Sequence, residues 1–342
     1  MVPAIDIAPD SRILVVDLAY IGDLLMSTPA IANLRRTFPS ATIDILVSPG
    51  SRPVIEHNPD LNSILSTEMK KQGWEGINNQ ARELSGKGYS LAISFHRGHG
   101  TLMMLRMTGI PNRVGFTNGG RGLFTTRGIP FRIGRHRSWN HLRLLEEGLG
   151  IDVVYETPTS LTLDREALES VGKQLETVDR KRGLLAVNPN AAWATKRWLP
   201  EGFAAVIDFV SSEGFTPVLV GSPKEEQVAG QVRSRTRSDI LDWTGRTTLQ
   251  ELSALLSMCT AIVTNDSGPM HIAQAVKIPV ISIFGPTDPA RCGPWLGEVE
   301  PLQVGLDCIK CYRKSCWHLS CMRQLKPDAV VERLSSCIGN IQ

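Results

Sequence analysis

Residues 261–276 read Ala261-Ile262-Val263-Thr264-Asn265-Asp266-Ser267-Gly268-Pro269-Met270-His271-Ile272-Ala273-Gln274-Ala275-Val276. The apolar start, Ala261 to Thr264, has the composition of a buried strand, and Ile272 to Val276 that of a helix. Between them the Ser267-Gly268 turn opens a helix at the carboxyl end of a strand. Free backbone N–H groups and the helix dipole make such a turn an anion site. Asp266, Ser267 and His271 add side chains that can hydrogen-bond a phosphate or a sugar. The plainer alternative is an ordinary strand–turn–helix with a serine cap, in which His271 is a satisfied core histidine.

The same alternation extends in both directions. Leu184–Asn188, Pro217–Val220 and Val280–Phe284 read as further strands, and Leu249–Met258 has amphipathic helical spacing. In the first half, Arg12–Leu18, Thr42–Val47 and Leu91–Phe95 repeat the strand pattern. Ser27 or Thr28 is suited to cap a helix, with Pro29 in its first turn. Strands alternating with helices predict an α/β chain with parallel sheets. A polar, charged stretch from Tyr155 to Gly183 separates the halves, so domains are expected at 1–160 and 161–342. Gly109 to Gly134 reads as loop-rich, and Pro327–Ile338 as a closing helix.

The chain has 342 residues, enough for two cores. Hydrophobic content is 42% and charged content 21%, as in a soluble globular protein. No apolar run reaches membrane-spanning length. Met1 to Pro9 lacks the basic and apolar regions of a signal peptide, which favours a cytoplasmic location. Net charge is +3, but all nine arginines between Arg97 and Leu145 (97, 106, 113, 121, 127, 132, 135, 137 and 143) lie in a segment without Asp or Glu. Such a segment projects a positive field, and Arg97, Arg113, Arg121 and Arg127 are candidate contacts to an anionic partner. The alternative is a solvated surface with scattered arginines. No nucleic-acid-binding motif accompanies it.

Three blocks carry a family resemblance: IGDLLMSTPA (21–30), TNDSGPMH (264–271) and FGPTDP (284–289). In this order they resemble glycosyltransferase family 9, the heptosyltransferases that use ADP-heptose. The likeness runs from about residue 12 to about residue 335. It implies a GT-B fold, two doubly wound Rossmann-like domains facing across a cleft. The first would bind the acceptor and the second the nucleotide sugar, with the last helix packing back on the first domain. The implied reaction moves heptose from ADP-heptose to an inner-core lipopolysaccharide acceptor, an anionic glycolipid at the inner membrane that suits the arginine-rich segment. Rival readings are another nucleotide sugar, a protein or small natural product as acceptor, or a non-catalytic nucleotide-sugar binder.

Glycosyl transfer needs a base for the acceptor hydroxyl and groups that stabilise the departing diphosphate. Asp23 lies after the first strand, where α/β sheets place ligands. By position alone it reads as a helix-capping loop acid; the resemblance makes it the catalytic base. Lys196 lies in a loop after a strand, NPNAAWATKRW (188–198), and the resemblance places it on the donor phosphate with Thr195. Its plainer reading is a surface lysine beside Arg197. The resemblance brings Ser267, Gly268 and His271 to the diphosphate and sugar. Asp266 would repel a phosphate unless it faced sugar hydroxyls or a basic group, and is assigned to the heptose hydroxyls. Glu225, after Val220-Gly221-Ser222-Pro223-Lys224, is implied to bind the adenosine ribose; it also reads as a first-turn helix acid. No DxD, P-loop or GxGxxG motif is present. A metal-independent, inverting reaction is therefore expected, with no cofactor.

Seven cysteines in a chain without an export signal read as thiols or metal ligands rather than a disulfide framework. Cys308, Cys311, Cys316 and Cys321 fall within 14 residues. The spacing is compatible with a structural zinc site, with reduced thiols, or with a redox-labile disulfide. Distance in sequence from the other motifs argues against a catalytic role.

Overall fold

A computed structural model describes residues 5, 7–180 and 182–339. The chain divides into two compact units, Met1–Thr162 and Leu163–Gln342. The first holds β1 (Arg12–Asp17), β2 (Thr42–Val47), β3 (Ser63–Ser66), β4 (Leu91–Ser94), β5 (Asn112–Phe116) and β6 (Arg127–Ile129). They form one sheet in the order β3-β2-β1-β4-β5-β6, parallel throughout. The second holds β7 (Leu184–Asn188), β8 (Thr216–Leu219), β9 (Leu241–Asp242), β10 (Cys259–Asn265), β11 (Val280–Phe284) and β12 (Leu302–Gln303). Their order, β12-β11-β10-β7-β8-β9, is again parallel. Each unit thus repeats one doubly wound topology. Its switch point lies between β1 and β4 in the first unit and between β7 and β10 in the second, where such sheets bind ligands at their carboxyl edge.

Continuous apolar runs build the central strands because helices cover both faces of a parallel sheet. Ile13 to Val16 and Leu184 to Val187 are fully buried. The seven strands read from the sequence are all present, within two residues at each end. The segment expected to be loop-rich instead contains β5 and β6, pinned at their joint by Thr126, whose hydroxyl accepts from the Arg113 N–H at 2.7 Å. Ser27 does occupy the N-cap of the helix Thr28–Thr37, but its side chain makes no cap bond. The hydroxyl donates to Asp17 at the end of β1 instead.

The closing helix, Pro327–Gly339, was expected to return to the first unit. Its apolar face, Val330, Leu334 and Ile338, is buried in the core of the second, with Phe203, Val206, Val210, Ile281 and Ile283. Trp198 anchors the same core. Its ring meets Phe203 edge-on at 5.1 Å, and its indole N–H donates to the Leu325 carbonyl at 3.1 Å. Trp198 also ends the loop that carries Lys196, so the core fixes that loop. Trp198→Ala removes a large buried side chain and orphans a carbonyl. It is expected to cost about 3–5 kcal/mol, measurable as a fall in the urea midpoint at unchanged slope.

Candidate functional site

In the second unit, the loops after β7 and β10 flank the switch point. Lys196 ends the short 3₁₀ turn Ala194–Lys196. Its ammonium lies 2.7 Å from Asp266 Oδ2, and Thr287 donates to the same oxygen at 2.6 Å. Asp266 thus faces a basic group, one of the two arrangements that make a carboxylate tolerable beside a diphosphate. The Trp193 ring lies 4.8 Å from the Lys196 ammonium and 5.2 Å from that of Lys314.

Ser267 is the N-cap of the helix Gly268–Ala275, yet its side chain does not cap it. Its Oγ accepts from Asn188 Nδ2 at 2.8 Å, and the same amide donates to Thr264 Oγ1 at 2.9 Å. A buried β7 amide therefore holds the β10 turn and leaves the first helical N–H groups uncapped by Ser267. No acidic residue lies in that first turn, and His271 is buried within the helix. Asn265 ties the two loops together: its side chain donates to the Pro189 carbonyl at 2.8 Å and accepts from the Trp198 N–H at 3.0 Å. This geometry can hold an anion between an ammonium and a helix N-terminus. Thr195 is buried with its hydroxyl donating to the Arg313 carbonyl at 2.8 Å, so it braces the loop. Glu225 sits in a capping box, accepting from the Ser222 N–H at 2.7 Å. The first-turn reading therefore accounts for one of its oxygens.

In the first unit, Asp23 lies in the first turn of the helix Ile21–Leu25 and pairs with Arg137 at 3.0 Å. Both side chains remain about one-quarter exposed, at 29% and 26%. Arg137 opens the helix Arg137–Arg143, whose N-cap His136 accepts the Ser138 N–H at 3.1 Å. Sequence reasoning placed Arg137 among nine arginines without singling it out. The absence of nearby acids within its own segment hid that its partner lies over a hundred positions away.

Behind this pair, burial pushes the Asp17 carboxyl up to about 7; the Ser27 bond and Arg137 oppose the rise, and Asp23 adds to it. Burial, joined by Lys70, Arg137, Arg97 and Arg121, lowers His96 to about 4. His96 is thus neutral at pH 7 amid four cations, which marks a positive field at this edge of the sheet. His141 is a core histidine, buried and stacked on Phe95 at 4.6 Å, with burial holding it well below the ordinary range.

A raised acid means that the folded chain binds more protons than the unfolded one between pH ~4 and ~7. Asp17 therefore lowers stability as pH rises through that window, with its penalty complete above about 7. Asp17→Asn should remove this contribution. Melting curves are expected to show the variant gaining on the wild type by a few kcal/mol from pH 4 to pH 7.5. A constant difference across the window would show that Asp17 stays ionised.

The four arginines proposed to meet an anionic partner do not act alike. Arg97 follows β4 at the carboxyl edge and lies over the Phe131 ring at 3.9 Å. Arg121 donates to the Arg97 and Asn118 carbonyls and so shapes that loop. Arg127 starts β6. Arg113 sits near the amino end of β5 and donates to the Phe124 and Ile110 carbonyls. In a parallel sheet that is the edge opposite Asp23, so Arg113 serves the loop and not the site. Charge along the sequence could not tell the two edges apart.

The cysteine segment lies between β12 and the closing helix. Among the described residues no group of three or more His, Cys, Asp or Glu side chains is disposed to hold a metal ion. Cys308 and Cys311 are exposed thiols, whereas Cys316 and Cys321 are half-buried, and Cys316 accepts the Leu319 N–H at 3.4 Å. Of the readings open for Cys308, Cys311, Cys316 and Cys321, the geometry is that of free thiols. The segment is not remote from the site. Arg313 accepts from Thr195, Tyr312 N–H donates to the Pro286 carbonyl at 2.8 Å, and Lys310 pairs with Asp288 at 2.9 Å. It braces the Lys196 loop and the turn after β11.

No described helix is long and apolar enough to cross a membrane. The family model for glycosyltransferase family 9 (heptosyltransferase) matches residues 77–321. Lipopolysaccharide heptosyltransferase 3 of Escherichia coli (strain K12) is 29% identical over 300 residues, covering 84% of this chain and 86% of that one. A family 9 glycosyl transferase from Veillonella parvula superposes with a TM-score of 0.88 at 22% identity, over 99% of this chain and 100% of the other. The E. coli ADP-heptose lps heptosyltransferase II superposes at 0.81 with 21% identity, over 96% and 99%. The two doubly wound units are thus those of the GT-B fold, and the chain belongs to glycosyltransferase family 9.

Proposed function

We propose that this chain is a metal-independent, inverting heptosyltransferase that moves heptose from ADP-heptose to an inner-core lipopolysaccharide acceptor. The observation that carries the reading is the Lys196–Asp266 pair beside the N-terminus of Gly268–Ala275. It supplies what a departing diphosphate requires: a fixed cation and free helix N–H groups, preorganised and partly withdrawn from water. Lys196, the Ser267-Gly268 turn and His271 take the diphosphate. Asp266 orients Lys196 and faces the sugar hydroxyls. Glu225 takes the ribose through the carboxylate oxygen its capping box leaves over.

Asp23 takes the proton of the acceptor hydroxyl, and Arg137 fixes the direction of its carboxylate. A base one-quarter exposed and held by one ion pair remains reachable by a sugar hydroxyl. The first unit is the acceptor side, with Arg97, Arg121 and Arg137 giving its carboxyl edge a positive field for acidic sugars and phosphates; Arg127, at the amino end of β6, lies with Arg113 on the other edge. The acceptor is lipid-linked, so the enzyme works in the cytoplasm against the inner membrane. The ADP-heptose named for the structurally similar E. coli enzyme supports the donor assignment.

The test is acceptor-dependent release of nucleoside diphosphate in EDTA, with ADP-heptose, UDP-sugars and GDP-sugars as donors and heptose-deficient lipid A core as acceptor. Release with ADP-heptose alone is expected. Release with another donor would remove the substrate assignment. Release only without EDTA would remove metal independence. Silence with every donor would turn the reading towards a different acceptor or a binding protein.

A further inference from the structure

A turn of the first unit carries an apolar side chain where a simple chain reversal would carry a polar one. Arg132-Ile133-Gly134-Arg135 lies just past the carboxyl end of β6, and the Arg135 N–H closes it on the Arg132 carbonyl at 3.2 Å. Ile133, at its tip, is 62% exposed. Gly, Pro, Asn, Asp and Ser are the residues that favour such positions. Buried amides hold the turn in place. Asn140, in the helix Arg137–Arg143 and fully buried, accepts from the Arg132 N–H at 2.8 Å and donates to the Arg132 carbonyl at 3.0 Å. Asn118 fixes the preceding Phe131, accepting from its N–H and donating to its carbonyl at 3.2 Å. Arg132 and Arg135 are exposed, and their guanidinium groups lie 5.6 and 5.3 Å from the centre of the Trp139 ring. No Asp or Glu occurs from Arg97 to Leu145, and the two acids that follow are engaged: Glu147 pairs with Arg143 at 2.6 Å, and Glu146 accepts from Tyr155 at 2.6 Å. An isoleucine is thus presented to solvent between two arginines, beside a half-buried tryptophan.

We propose that this turn docks the protein on an anionic lipid bilayer, with Ile133 entering the interface and Arg132 and Arg135 meeting lipid phosphates. The proposal rests on the lipid-linked acceptor of the reading above and deepens it by naming the surface that meets the membrane. Charge complementarity selects the occupant. An apolar tip has nothing to gain from a soluble anion, and paired arginines have nothing to gain from a neutral apolar surface. An anionic bilayer offers acyl chains and phosphates within the reach of one turn. Arginine keeps its head among the phosphates while its stem covers apolar surface, and tryptophan concentrates at the same level. A turn already fixed by Asn118 and Asn140 loses little conformational freedom on docking. Arg137, the partner of Asp23, lies two positions beyond Arg135. Docking here brings the headgroup layer to the candidate base without a change of conformation.

The test is sedimentation of the full chain with vesicles of mixed phosphatidylglycerol and phosphatidylcholine, and with vesicles of phosphatidylcholine alone. These vesicles hold neither donor nor acceptor, so the result does not depend on the transfer assignment. The wild type is expected to bind the anionic vesicles and not the neutral ones. Ile133→Ser should weaken partitioning about tenfold, and Arg132→Gln/Arg135→Gln about 25-fold, at about fivefold for each arginine. Turnover on a deacylated, water-soluble core acceptor should be unchanged in both variants. Ile133→Ser alters an exposed side chain, so an unchanged melting temperature is expected to separate docking from folding. Equal sedimentation with neutral vesicles, or anionic binding that survives both variants, would overturn the inference. Binding to single-stranded RNA in place of vesicles would overturn it too, making the turn a nucleic-acid contact. Absence of heptose transfer beside intact, Ile133-dependent vesicle binding would defeat the transfer reading and leave the docking surface standing.

Discussion

Asp23→Asn is expected to lower kcat by about 10²–10⁴-fold, the usual contribution of a positioned general base, while ADP binds with unchanged affinity. The substitution keeps size and geometry and removes only the capacity to accept the proton. Its structural cost is small, because the Arg137–Asp23 pair is partly exposed and such pairs contribute about 1 kcal/mol or less. Steady-state rates with calorimetric ADP titration separate the two effects. Full activity in the variant would move the base elsewhere, with His96 and Asp17 the other acid–base candidates at this edge. Neither is a ready substitute: His96 is a weak base at about 4, and Asp17 is sealed beneath Ser27.

Lys196→Met is expected to act on both catalysis and folding. Loss of the cation paired with Asp266 should lower kcat/KM by about 10²–10³-fold, as for other preorganised groups that meet developing charge. It also leaves the Asp266 carboxylate, 6% exposed, with Thr287 as its only side-chain partner among the described residues. Breaking a buried pair from one side costs about 3–5 kcal/mol. The double variant Lys196→Met/Asp266→Asn should recover most of that stability and none of the activity. Denaturant melts of the four-member cycle measure the coupling. Additive stabilities would show that the pair is incidental to the fold; wild-type turnover in Lys196→Met would place the diphosphate elsewhere.

The central strands were legible because a parallel sheet buries both faces, so β1 and β7 carry unbroken apolar runs, and β2 and β11 are interrupted only by Asp44 and Ser282. The edge strands were not. Arg127–Ile129, Leu241–Asp242 and Leu302–Gln303 are two or three residues long and half-covered, too short for any periodicity to show. At the site, two positions that motifs identify, Lys196 and Asp266, meet although 70 residues separate them. What motifs could not reveal were the pairings. Arg137 with Asp23, Asn188 with Ser267 and Arg313 with Thr195 depend on strand order, which no local pattern encodes. The cysteine segment was set aside as remote because sequence distance stood in for spatial distance. Ser27 was misread for a related reason: a buried acid at the end of β1 outcompetes the helix N–H groups for its hydroxyl.

The most direct measurement is the anomeric configuration and composition of the product formed from ADP-heptose on heptose-deficient lipid A core, read by NMR. A single added heptose, with its anomeric configuration opposite to that in the donor, is expected from one displacement in which Asp23 activates the acceptor. Transfer with the donor's configuration retained would require a different mechanism, and a transferred sugar other than heptose a different donor site; either would contradict the roles assigned to Asp23 and Lys196.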